Sequence, residues 1–92
     1  MSEIEEILKE RGKIYNKYGT YADYSKCYTS LINTIQNTPG WEAMPAYQQA
    51  TLYNILNKIS RAIIGDKEYR DNWADIEGFS KLALDELEKE TN

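Results

Sequence analysis

Histidine is absent from this 92-residue sequence, and cysteine occurs once, at Cys27. The first absence removes the commonest general base and the commonest metal ligand together. The second rules out a disulfide within the chain and leaves Cys27 with no histidine to activate it as a nucleophile. Apolar residues never run to the ~20 needed to span a bilayer, so no membrane partner is expected. The acidic opening, with Glu3, Glu5 and Glu6, lacks the apolar region of a signal peptide, and the expected location is cytoplasmic. Basic charge is also short, with 11 Lys and Arg against 15 Asp and Glu for a net charge of −4. A duplex-binding protein needs a broad basic face to displace counterions, so no nucleic acid duplex is expected as a partner. One small basic pocket for a single phosphate is compatible with that balance.

Aromatic residues are what the chain has in excess: eight tyrosines and two tryptophans. Tyrosine offers a flat apolar face and a hydroxyl, which suits wet interfaces and base stacking alike. The apolar residues recur at helical rather than strand spacing. Ser2 caps a first helix with Glu5 three residues on, and Ile4, Ile7 and Leu8 form its stripe until Gly12 interrupts it. Tyr15 to Gly19 reads as a hinge. Thr20, with Asp23 at the third position, caps a second helix carrying Tyr21, Tyr24, Tyr28, Leu31, Ile32 and Ile35. Asn37-Thr38-Pro39-Gly40 ends it, and Trp41 to Met44 is a connector. Pro45 fits the first turn of a third helix, which Gly65 is expected to stop in the left-handed conformation. Asp66 to Arg70 links to a fourth helix, from about Asp71 to Glu88. The expectation is an all-α, compact four-helix domain over residues 1–92, its last two helices an antiparallel hairpin. A chain this small has little core, and its dense aromatic row predicts a homo-oligomer formed through the second helix.

Four features bear on chemistry. Lys58 and Arg61 stand three residues apart on one helix face, with Asn54 a turn earlier. Two cations and an amide suit a phosphate, arginine as a bidentate fork and lysine as a point charge. The structural alternative is a pair of salt bridges to the next helix. Asp71 and Asp75, four apart around Trp73, have the spacing to hold one magnesium ion that bridges to a phosphate. They serve equally as structural partners of Arg61 and Lys58, and two carboxylates without further convergent acids make a poor catalytic metal site. Tyr21, Tyr24 and Tyr28 form a row whose commoner use is core or interface rather than a stacking shelf. Tyr15 and Tyr18, in the hinge beside Arg11 and Lys17, are better placed for a ligand because loops present side chains outward. Gly78 lies within a helical pattern at a cost of ~1 kcal/mol relative to alanine, and close packing against the helix of Arg61 is the expected reason. The expected ligand set is Arg11, Tyr15, Tyr18, Asn54, Lys58, Arg61 and Trp73, with no catalytic residue, metal or cofactor.

A resemblance sharpens this reading. Lys58-Ile59-Ser60-Arg61, Gly65-Asp66 and Asp71-Asn72-Trp73-Ala74-Asp75-Ile76-Glu77-Gly78-Phe79 follow a K-x-x-R-x-x-x-G-D…D-x-W-x-D-I-x-G-Y pattern. Glu10-Arg11-Gly12 and Tyr18-Gly19 follow an E-R-G-x-x-Y-G element. Over nearly its whole length the chain thus resembles a family of small helical proteins of unknown function, encoded mainly by tailed bacteriophages and prophages. Phe79 stands where that family has tyrosine, and Ile14 to Lys17 lengthen the gap between its Arg-Gly and Tyr-Gly elements. The family is distantly similar to MazG-like all-α nucleoside-triphosphate pyrophosphohydrolases, which bind magnesium through E-x-x-E and E-x-x-D on helices. Only Asp71 and Asp75 fall where the second acidic pair belongs, while Glu3 and Glu6 sit beside Lys9 with the look of a solvated face. The resemblance implies a nucleotide-binding scaffold without a complete metal cage. It points to a phage-encoded sponge, an anti-defence protein of the infected bacterial cytoplasm. Such a protein sequesters a nucleotide-derived immune signal, a cyclic oligonucleotide or cyclic ADP-ribose-type molecule, without cleaving it. The alternatives are a magnesium-dependent pyrophosphohydrolase using Asp71 and Asp75, and a structural or regulatory homodimer with no small-molecule ligand.

Overall fold

A computed structural model describes residues 2–91, and all their side chains except those of Tyr15 and Thr91. Among these residues there is no strand. Five helices follow in order: α1 (Glu3–Tyr15), α2 (Tyr21–Gln36), α3 (Pro39–Glu42), α4 (Ala46–Ile64) and α5 (Arg70–Thr91).

Local chemistry sets the first two starts. Ser2 Oγ accepts from the Glu5 N–H at 3.1 Å. Thr20 and Asp23 close a reciprocal box, Thr20 Oγ1 accepting from the Asp23 N–H at 3.2 Å and Asp23 Oδ2 from the Thr20 N–H at 2.8 Å. The Thr20 N–H, and after it the Thr20 hydroxyl, hold the Asp23 carboxyl below the usual aspartate value. That contribution is fully present above the unfolded value and is lost as pH falls through the lower folded one. Pro45 is the residue before α4 rather than its first.

Three further expectations are corrected, the first of which makes five helices of the expected four among the described residues. The Trp41–Met44 connector is partly a helix: Pro39 opens a single turn that buries Trp41 against Tyr53 of α4, ring centroids 4.9 Å apart. Gln49 Nε2 fastens it by donating to the Trp41 carbonyl at 2.9 Å. Four residues are too few to show a helical repeat, so periodicity passes over them.

Gly65 does stop α4, but at φ −93° and ψ −138°, and no described glycine has a positive φ. Of the carbonyls at that end, one is served by the cap residue itself and another from the hinge. The Gly65 N–H donates to Arg61 O at 2.9 Å, and the Tyr18 N–H to Ile64 O at 2.7 Å. The Asp66 N–H donates to Ile14 O at 2.6 Å, so the ends of α1 and α4 are laced together. These bonds satisfy helix-end carbonyls that a left-handed cap otherwise serves. Gly19 belongs to the same junction, because a methyl there would lie 3.0 Å from both Ile64 Cγ2 and Asp23 Cβ.

Gly78, expected to admit a neighbouring helix, faces open space, with nothing within 4 Å of where its Cβ would stand. Its backbone cost is therefore uncompensated within the chain. Gly78→Ala is expected to raise stability by up to ~1 kcal/mol in urea unfolding. A lower midpoint would instead mean that another surface closes over this position.

Helix α4 is the hub. Near its start Tyr47 OH donates to Glu90 Oε2 at 3.3 Å, and further along Lys58 Nζ meets Asp75 Oδ2 at 2.9 Å, both on α5. Helix α2 packs on another side through Tyr24. The core is thin: Tyr24, Trp41 and Ala62 are the buried apolar side chains among the described residues, beside buried Ser60 and Asn72. None of the described helices is long and apolar enough to cross a membrane.

Candidate functional site

Lacing α1 to α4 brings the hinge against the start of α5. Tyr18 from the hinge, Ile59, Ala62 and Ile63 from α4, Lys67 from the α4–α5 link, and Trp73 and Ile76 from α5 wall an apolar cleft. Its volume is about 400 Å³, within the roughly 300–1,000 Å³ of small-molecule sites. Its two rings are presented rather than buried, Tyr18 being 59% and Trp73 57% exposed. Both are held in place. The Trp73 Nε1–H donates to the Lys67 carbonyl at 2.8 Å, and the Tyr18 backbone is tied to Ile64. Positive charge stands at Tyr18: the Nζ atoms of Lys67, which lines the cleft, and of Lys17, outside that lining, lie 5.9 and 5.7 Å from the Tyr18 ring centroid, within cation–π range. An apolar slot with two flat rings and two ammonium groups can take a planar group on its walls and an anion at its edge.

Another part of the expected set lies elsewhere. At roughly 100° per residue, Asn54, Lys58 and Arg61 fall on the side of α4 away from Ile59 and Ile63. Lys58 makes the salt bridge to Asp75 that the structural alternative foresaw. Arg61 links α2 to α4: its Nε donates to Asn57 Oδ1 at 2.8 Å and its guanidinium carbon stands 4.9 Å from the Tyr24 ring centroid. Asn57 Nδ2 in turn donates to Tyr24 OH. Asn54 is exposed, and so is Arg11 on α1. The side chain of Tyr15 lies outside the described residues. Asp71 Oδ2 accepts from Tyr69 OH at 3.0 Å. Among the described residues no three His, Cys, Asp or Glu side chains converge.

The tyrosine row of α2 is continuous, with centroid spacings of 5.7 Å from Tyr21 to Tyr24 and 6.1 Å from Tyr24 to Tyr28. Its centre is core, since Tyr24 is only 7% exposed, while Tyr21 faces outward.

Of the expected ligand residues, then, the fold unites Tyr18 with Trp73 and sets Asn54, Lys58 and Arg61 apart from them. The cleft's isoleucines had registered in the sequence only as core stripe. Lys67, in a five-residue link, had no periodic pattern to mark it. One signal was readable: Ile59 and Ile63 stand four apart just ahead of Gly65, with Trp73 and Ile76 early in the next helix. No family model, curated protein or solved structure matches the chain.

Proposed function

We propose that the chain is a binding protein that captures a nucleotide-derived small molecule in the Tyr18–Trp73 cleft and releases it unchanged. The observation that carries this reading is the meeting of two presented rings, from separate elements, over an apolar floor, with Lys67 in the lining and Lys17 beside the Tyr18 ring. A base stacks on such rings for about 1–3 kcal/mol each, and the ammonium groups of Lys17 and Lys67 meet a phosphate as point charges. The cleft's described lining holds no carboxylate, thiol or histidine to attack or deprotonate a ligand, which favours capture over turnover. In the form the family resemblance implies, this is a phage-encoded sponge for a cyclic oligonucleotide or cyclic ADP-ribose-type immune signal. It works as a homo-oligomer in the infected bacterial cytoplasm, with α4 and α5 as an antiparallel hairpin. The pyrophosphohydrolase alternative has less to rest on, because Asp75 is engaged by Lys58 and Asp71 by Tyr69.

The test is a melting screen over cyclic dinucleotides, cyclic ADP-ribose isomers and canonical nucleotides. A true ligand at a hundredfold excess over its dissociation constant stabilises the fold by ~2.7 kcal/mol. Chromatography after denaturation is expected to return it intact. Tyr18→Ala and Trp73→Ala should each weaken binding by about 1–3 kcal/mol while the ligand-free protein melts nearly as before. Cleaved products, or binding indifferent to both substitutions, would overturn the proposal.

A further inference from the structure

Helix α1 has almost nothing to lean on. Every described residue from Ser2 to Arg11 is exposed, and only Gly12 and Ile14 begin to be covered. Its apolar stripe is exposed with it, Ile4 at 69% and Leu8 at 59%. A 13-residue helix is marginal in water without a packed face. The molecule is also drawn out, 54 Å along an axis that its longest helix, of 22 residues, covers for only about 33 Å. The radius of gyration is 15.8 Å, against roughly 12 Å for a closely packed chain of this length. The accessible surface tells the same story, at 6670 Å² for 10.7 kDa, where a folded monomer of that mass exposes roughly 5,500 Å². The surplus is of the order of the ~800 Å² each partner buries in a stable pair.

We infer that a second copy of this chain covers that stripe, the two α1 helices packing antiparallel about Ile7 and Leu8. Charge along the helix favours this direction. Glu3, Glu5 and Glu6 occupy its first half, and Lys9, Arg11 and Lys13 its second, which stays net basic although Glu10 bridges Lys13 there at 3.0 Å. Antiparallel pairing sets the acidic half of each copy beside the basic half of the other, whereas parallel pairing sets like against like. This moves the expected interface from α2 to α1, since the centre of the α2 row is already taken up by Asn57 and Arg61 of the same chain. It stands independently of the ligand reading, as neither Tyr18 nor Trp73 lies on the stripe.

Light scattering on the full chain at micromolar concentration should give about twice the 10.7 kDa of one copy. Leu8→Lys should give the single mass, with lower helical circular dichroism and a retained cooperative melt. Glu3→Lys with Glu6→Lys should weaken pairing by about tenfold, the scale of several surface ion pairs together. Adding Lys9→Glu and Arg11→Glu should restore it. A monomeric wild-type chain would overturn the inference, and so would pairing that survives Leu8→Lys. Failure of the four-residue exchange to restore pairing would overturn the antiparallel arrangement.

Discussion

Tyr24→Ala is expected to lower stability by about 3–5 kcal/mol, as for other buried aromatic side chains. Tyr24 stacks on Tyr28, lies under the Arg61 guanidinium and accepts from Asn57 Nδ2, so its removal opens the α2–α4 contact at its centre. For a domain of this size 1 kcal/mol moves the melting point by about 4–8 °C, so the loss should be roughly 12 °C or more. Tyr24→Phe keeps the ring and removes only the acceptor, and should cost about 1 kcal/mol. The ordering separates a core role from a surface one. If the row served only as a shelf for a base, Tyr24→Ala would leave the melting point of the ligand-free protein almost unchanged.

Trp41→Ala should be of similar size, about 3–5 kcal/mol, although it removes a residue from a single turn. The indole is buried against Tyr53, so one side chain joins the α2–α4 connection to the middle of α4, while the Gln49 bond to the Trp41 backbone carbonyl is untouched by the substitution. With so few buried apolar residues the chain has little to redistribute into the space. Urea unfolding followed by circular dichroism and by Trp73 emission measures the loss. A cost below ~1 kcal/mol would mean that α3 is peripheral and that α2 and α4 hold together without it.

Much of the fold was legible because helix signals are local. A hydroxyl or carboxylate at a start competes for N–H groups within three residues, so Ser2, Thr20 and Asp23 could be assigned without knowing any neighbour. Apolar spacing likewise marked α2, α4 and α5 and the stripe of α1. The all-helical class followed from that spacing and from the lack of any strand pattern.

The remainder depended on contacts between residues far apart in the sequence, to which spacing along one helix is blind. Glycine at a helix end is ordinarily a left-handed cap, yet Gly65 keeps a negative φ and the Tyr18 N–H from the hinge takes the last carbonyl of α4. Gly78 reads as a packing site until its surroundings prove open. The candidate site divides in the same way. Sequence correctly placed Lys58 beside Arg61 on one face of α4, since helical geometry alone fixes that. It offered Asp75 as a partner for this face only as one of two readings, and it did not reveal that the face also meets Tyr24 while the far side of the same helix meets the hinge. Backbone hydrogen bonds between Tyr18 and Ile64, and between Asp66 and Ile14, decide that Tyr18 stands near Trp73, and only the folded chain makes them.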